Sequence, residues 1–153
     1  MIDEIYNFLK EYGFSEIEIK SFYEKNEKMY FTNLVELDKN IKFFVDMGLS
    51  NLELLDVIRK NPFMLTVKNN RLDAFNKIYF DELGYDKNIV KDLIIKNVDT
   101  YTCSPIELNK NIEYLKDNRC SLDTIKDFII NNSFVISLTL DEFKKNISFK
   151  EKR

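Results

Sequence analysis

A recurring interval constrains this chain more than its composition does. Gly13, Gly48 and Gly84 stand 35 and 36 residues apart, and Arg119 continues the series 35 further on. Setting the segments that begin there in register brings like residues into columns. The second residue is always apolar or small: Phe14, Leu49, Tyr85, Cys120. The third is a helix N-cap type in all four, Ser15, Ser50, Asp86 and Ser121. Glu18 and Glu53 follow three residues later in the first two segments, completing the capping-box pattern. Apolar residues then recur at helical spacing: Ile19, Phe22, Tyr23; Leu54, Val57, Ile58; Val90, Leu93, Ile94; Ile125, Phe128, Ile129.

Every one of these helices runs into an asparagine at the same position: Asn26, Asn61, Asn97 and Asn132. Asn tolerates the left-handed conformation that ends helices, so this column is expected to stop each first helix with positive φ or a related turn. At Asn61 the stop is reinforced by Pro62, which cannot donate the next backbone bond. A second capping signal follows a short linker in three segments: Asn33-x-x-Glu36, Ser104-Pro105-x-Glu107 and Thr139-x-x-Glu142. The second helix then carries Leu37/Ile41/Phe44, Leu72/Phe75/Tyr79, Leu108/Ile112/Leu115 and Phe143/Ile147 on one face. Residues 1–12, with Ile2, Ile5, Tyr6 and Leu9, match a second helix alone.

The expected fold is therefore all-α: a solenoid in one domain over residues 1–153, made of a half-repeat (1–12) and four helix-turn-helix repeats (13–47, 48–83, 84–118, 119–153). The turn between the two helices of a repeat is short enough to be 3₁₀. Composition agrees, with only 3 Gly and 2 Pro against 13 Phe and 8 Tyr in 153 residues. The acidic, amphipathic start MIDEIYNFLK is no signal peptide, and no apolar run approaches membrane-spanning length. Cys103 and Cys120 form neither metal spacing nor a disulfide framework, which suits a reducing cytoplasm.

Histidine is absent, which removes the commonest general base and metal ligand. The carboxylates are spread through caps and exposed faces, and the three glycines are each a repeat apart, so no phosphate-binding loop exists. Cys103 and Cys120 sit where packed small residues belong. The chain is expected to be a non-enzyme that uses no cofactor and no metal.

The stretch MGLSNLELLDVIRKNPFMLTVKNNRLDAFNKIYFDELGYD resembles the mitochondrial transcription termination factor (mTERF) repeat. That repeat has a Leu-Gly-Leu-Ser-like start, an amphipathic helix, a basic-x-Pro-x-x-Leu stop and a second helix ending in Leu-Gly. Residues 47–85 carry the pattern; the flanking segments keep the spacing and the apolar columns, with Glu27, Val98 and Ser133 in place of the Pro. The resemblance implies an array of three-helix repeats with a left-handed superhelix, and nucleic acid as the ligand. Of the two superhelical hands open to a solenoid, it favours the left.

Candidate phosphate contacts are lysines. Lys39, Lys110 and Lys145 share one column of the second helix, and Lys42 and Lys77 share another one turn away. Helical geometry turns both columns away from the buried stripe, where they form a ladder suited to a phosphate backbone. Asp38, Asp73 and Glu113 lie among them and weaken that field. Among the aromatics, Tyr30, Phe31, Phe43, Phe44, Tyr79, Phe80 and Tyr114 have rings that stack on bases where exposed; Phe31 and Phe80 are the least committed to the core. A net charge of −3 and a pI near 5.2 support a second reading, an acidic scaffold that binds a protein on its concave face. Either way the expected state is a monomer without membrane association.

Overall fold

A computed structural model describes residues 2–147; Met1, the side chains of Ile2 and Asp3, and the tail of the fourth repeat, 148–153, lie outside the described residues. Among the described residues there is no strand, and the secondary structure is nine α-helices with short 3₁₀ turns and one π-turn between or after them. The chain divides into two compact units, residues 1–68 and 69–153, with the boundary ahead of the second helix of the second repeat.

The first unit contains α1 (Ile2–Tyr12), α2 (Glu16–Lys25), α3 (Leu34–Asp46) and α4 (Asn51–Lys60), with 3₁₀ turns at Glu27–Tyr30 and Pro62–Thr66. Both capping boxes form: Ser15 Oγ accepts from the Glu18 N–H while the Glu18 carboxylate accepts from the Ser15 N–H, and Ser50 and Glu53 repeat the arrangement. The expected apolar face is the core, with Ile19, Phe22, Leu37, Ile41, Phe44, Leu54, Val57 and Ile58 all buried. Arg59 forms an ion pair with Glu18 and lies over the Phe14 ring at 5.7 Å, tying the first repeat to the second from outside this core.

In the second unit are α5 (Asn69–Asn76), α6 (Lys87–Lys96), α7 (Pro105–Asp117), α8 (Leu122–Asn131) and α9 (Leu140–Asn146). Asp86, Ser104, Ser121 and Thr139 cap α6, α7, α8 and α9 through the third N–H of each helix. Buried Phe75, Tyr79 and Tyr101 cluster with ring centroids 5.4 to 6.0 Å apart. Tyr79 donates to the Thr100 carbonyl at 2.7 Å and Tyr101 to Asn76 Oδ1 at 2.8 Å, so both buried hydroxyls are satisfied.

The one longer interval in the sequence has a local cause. Where α1 and α7 end, the closing bonds Phe14 N–H to Leu9 O and Cys120 N–H to Leu115 O span five residues. In the second repeat the equivalent bond, Tyr85 N–H to Tyr79 O, spans six, and α5 continues as a π-turn over Lys77–Glu82. The extra residue is absorbed in that wider turn, so the columns on both sides stay in phase.

The asparagine column needs a correction. Asn26, Asn61, Asn97 and Asn132 do terminate α2, α4, α6 and α8, but with φ of −129°, −144°, −136° and −137°. Positive φ belongs to Gly13, Gly48, Gly84 and Arg119, the column that ends the second helices. Three of the asparagines are instead engaged in capping the turn that follows. Asn26, Asn61 and Asn97 accept from the N–H two residues on through Oδ1. That capping bond demands an extended backbone, so it excludes the left-handed conformation at the same residue.

Candidate nucleic-acid interface

The buried side of the repeats fixes which side is free. Leu37, Ile41 and Phe44 turn α3 so that Lys39 and Lys42, three residues apart, are both exposed. In the second unit the same phase exposes Lys77 at the start of the π-turn, Lys110 on α7 and Lys145 on α9. Helices α7 and α9 pack together, so Lys110 and Lys145, at equivalent positions 35 residues apart, stand on neighbouring helices.

Their electrostatics differ. Lys42 pairs with Asp38 at 2.9 Å, and that carboxylate raises the Lys42 ammonium above its ordinary value. Lys110 pairs with Glu107 at 3.1 Å. Among the described residues Lys39, Lys77 and Lys145 have no acidic partner within 4 Å. Glu107 has a further role: its other oxygen accepts the Leu140 N–H at 3.0 Å, which with Lys110 holds the carboxyl below the usual range. It therefore fixes the start of α9 against α7.

Between those two helices runs a shallow groove of about 530 Å³, lined by Lys110, Lys144, Tyr114, Glu113, Asp117 and Leu140 among others. Lys144, absent from the sequence-derived set, lies over the Tyr114 ring at 5.2 Å. Its position beside Lys145 in the sequence marks it only as part of a basic pair. Two cations face two carboxylates here, so the groove suits a ligand with both charge and apolar surface better than a bare polyanion.

The aromatic candidates separate by burial. Phe44 and Tyr79 are core, Phe43 and Tyr114 are half-buried, and Tyr30 is exposed with its ring edge-on to Tyr23 at 4.9 Å. Phe31 is 87% exposed, as expected, but Phe80 is half-buried, because the π-turn rotates it toward the core. The thiol of Cys103 is pushed up to about 11 by burial, which disfavours the thiolate. Among the described residues no group of three or more His, Cys, Asp or Glu is placed to hold a metal ion, and no helix is long and apolar enough to cross a membrane.

A feature that the spacing of the sequence does not display joins the repeats internally. Asn26 Nδ2 donates to Pro62 O at 3.2 Å and to Thr66 Oγ1 at 2.9 Å, residues 36 and 40 positions on. Asn97 Nδ2 does the same to Ser133 O and Ser137 Oγ, both at 2.9 Å and at the same two offsets. A second column, Asn40 and Asn111, donates to carbonyls 25 and 27 residues on: Leu65 and Val67, Ile136 and Leu138. All four amides are buried, so these bonds are made without competition from water.

No curated protein matches the chain. The mTERF family model matches residues 1–153, which is the whole of it. The capped helix pairs, the 3₁₀ turns and the match over every repeat lead to one conclusion: the chain belongs to the mTERF family.

Proposed function

We propose that this chain is a non-enzymatic nucleic-acid-binding module in which Lys39, Lys77 and Lys145 supply the strongest phosphate contacts and Lys42 and Lys110 weaker ones. The whole-chain family match carries this reading. Three exposed lysines that have no acidic partner among the described residues support it. An ammonium already held by Asp38 or Glu107 must break that pair before it gains a phosphate, which ranks the five. The array is taken to act as one monomeric domain. The test is binding of labelled duplex and single-stranded DNA and RNA at low salt, with and without Lys39→Glu, Lys77→Glu and Lys145→Glu combined. Binding that the triple variant abolishes, with unchanged circular dichroism, is the expected result. Equal binding by the variant, or none by the unmodified chain, overturns it.

A protein ligand is the second reading. It is favoured by the mixed charge of the groove between α7 and α9 and by the net charge of −3. In the same titration it predicts no nucleic-acid binding at any salt concentration.

A further inference from the structure

The first turn of the second helices breaks its own pattern once. Glu36, Glu107 and Glu142 occupy one column, and in the second repeat that column holds Arg71. Part of the exchange has a local reason. Glu107 accepts the N–H of Leu140, the first residue of the following second helix. The residue in that place after Arg71 is Pro105, which has no N–H, so a glutamate at 71 would have nothing to accept. Arg71 reverses the bond and donates from Nη2 to the Cys103 carbonyl at 2.5 Å. That tie accounts for a donor at 71. A glutamine would supply one, so the tie does not account for a positive charge.

The charge is uncompensated. Arg71 is half-buried, and among the described residues it forms no ion pair, whereas Arg59 has Glu18. Asp99 and Arg71 act on the Cys103 thiol with opposite sign, yet no ion pair joins the two. Nε of Arg71 is sealed from solvent without a hydrogen-bond partner. Burying a guanidinium this far without a carboxylate carries a desolvation cost that one carbonyl only partly offsets. The donors left over are the outer ones. Nη1 has no protein partner and reaches solvent, and Nη2 has a second N–H. With Nε enclosed and Nη2 anchored, the planar head is held in place with its outer edge free.

We propose that Arg71 anchors an oxyanion site in the second unit, whose ligand is a phosphate group gripped end-on by Nη1 and Nη2. A phosphate presents two oxygens to that fork and supplies the missing counter-charge. The tie to Cys103 sets the head in advance, so little side-chain entropy remains to be lost on binding. Cys103 directly precedes the Ser104 cap of the 13-residue α7, so the positive end of that helix adds to the field. The Glu107 carboxylate in its first turn is already held by Lys110 and by the Leu140 N–H. The phosphate belongs to a nucleic-acid strand or to a small phosphorylated molecule; the recognition chemistry is the same, and it does not depend on the lysine columns.

Thermal unfolding of the full chain in increasing inorganic phosphate, against chloride at equal ionic strength, is the test, with Arg71→Gln and Arg71→Lys alongside. Phosphate is excluded from protein surfaces in general and raises every midpoint somewhat, so the difference between chains is the readout. The unmodified chain should gain a further, saturating rise of about 4 °C at about ten times Kd. Arg71→Gln should lack that rise, and Arg71→Lys, a charge without the fork, should keep only part of it. An equal rise in all three overturns the proposal and leaves the guanidinium as a structural tie to Cys103. A labelled oligonucleotide at low salt then identifies the source. Affinity that Arg71→Gln lowers about tenfold assigns the site to a strand phosphate. Unchanged affinity beside a specific response to inorganic phosphate assigns it to a small phosphorylated ligand. Failure of the nucleic-acid reading shows separately, as a chain that binds no strand while its phosphate response is intact.

Discussion

Asn97 makes three side-chain bonds at once: it accepts from the Asp99 N–H at 3.1 Å and donates to Ser133 O and Ser137 Oγ at 2.9 Å. Truncation to Ala leaves the Asp99 N–H without its acceptor and takes an amide donor from Ser133 O and Ser137 Oγ, in a place only 7% exposed. We expect Asn97→Ala to cost about 3 kcal/mol, and Asn132→Ala, with one local bond, about 1 kcal/mol. Denaturant unfolding of the two variants checks this; equal losses would contradict the assignment of the cross-repeat bonds. Arg119 predicts the opposite sign. It is the one non-glycine among the described residues with positive φ, at +67°, in a column otherwise filled by Gly13, Gly48 and Gly84. Relief of that strain in Arg119→Gly should stabilise the chain by about 1 kcal/mol, partly offset by the entropy of a new glycine. A lowered melting temperature would refute it. The sequence discloses these asparagines as a column and as helix ends, but not their partners. A bond 36 residues away is set by how repeats stack, which spacing alone does not display. Their backbone conformation is hidden for a related reason. The same side chain suits a left-handed terminus and an extended cap, and the choice depends on the turn that follows.

Among the helices, the starts are the most legible features, because the caps are local: Ser15, Ser50, Asp86, Ser104, Ser121 and Thr139 all accept where the sequence places them. Asn40 and Asn111 escape a reading by columns because the second repeat has Phe75 at that position. The π-turn is equally hidden. An interval of 36 announces an extra residue but not its location, and only the six-residue closure at Tyr79 and Tyr85 places it. Deleting Asp81, an exposed residue inside the π-turn, should restore the common interval and convert the turn to α-helix. The deletion should leave the melting temperature within about 4 °C of the parent, the shift expected for roughly 1 kcal/mol in a chain of this size. Global unfolding of the deletant would show that the extra residue is required.

For the molecule as a whole, the balance between lysines and acids governs binding. Three phosphate contacts from Lys39, Lys77 and Lys145 predict a slope of log affinity against log salt of about −2.7 on duplex DNA and about −2.1 on a single strand. A slope near zero with measurable binding would show that these lysines are not used. With a net charge of −3, long-range repulsion opposes the encounter, so low ionic strength is where the contacts show. Helical phase suffices to predict that all five lysines are exposed. Which of them are already paired depends on where the Asp38 and Glu107 carboxylates settle, and that is decided by tertiary contacts such as the Leu140 N–H on Glu107. The four buried cross-repeat amides also set the terms on which this protein ages. Hydrolysis of any one to a carboxylate, a heat-driven lesion of asparagine, replaces two donors with a group that only accepts. Asn26, Asn40, Asn97 and Asn111 each face two oxygens, so the damaged side chain would turn a negative charge onto them inside the core. The working life of the fold at elevated temperature is thereby tied to the chemistry of four side-chain amides.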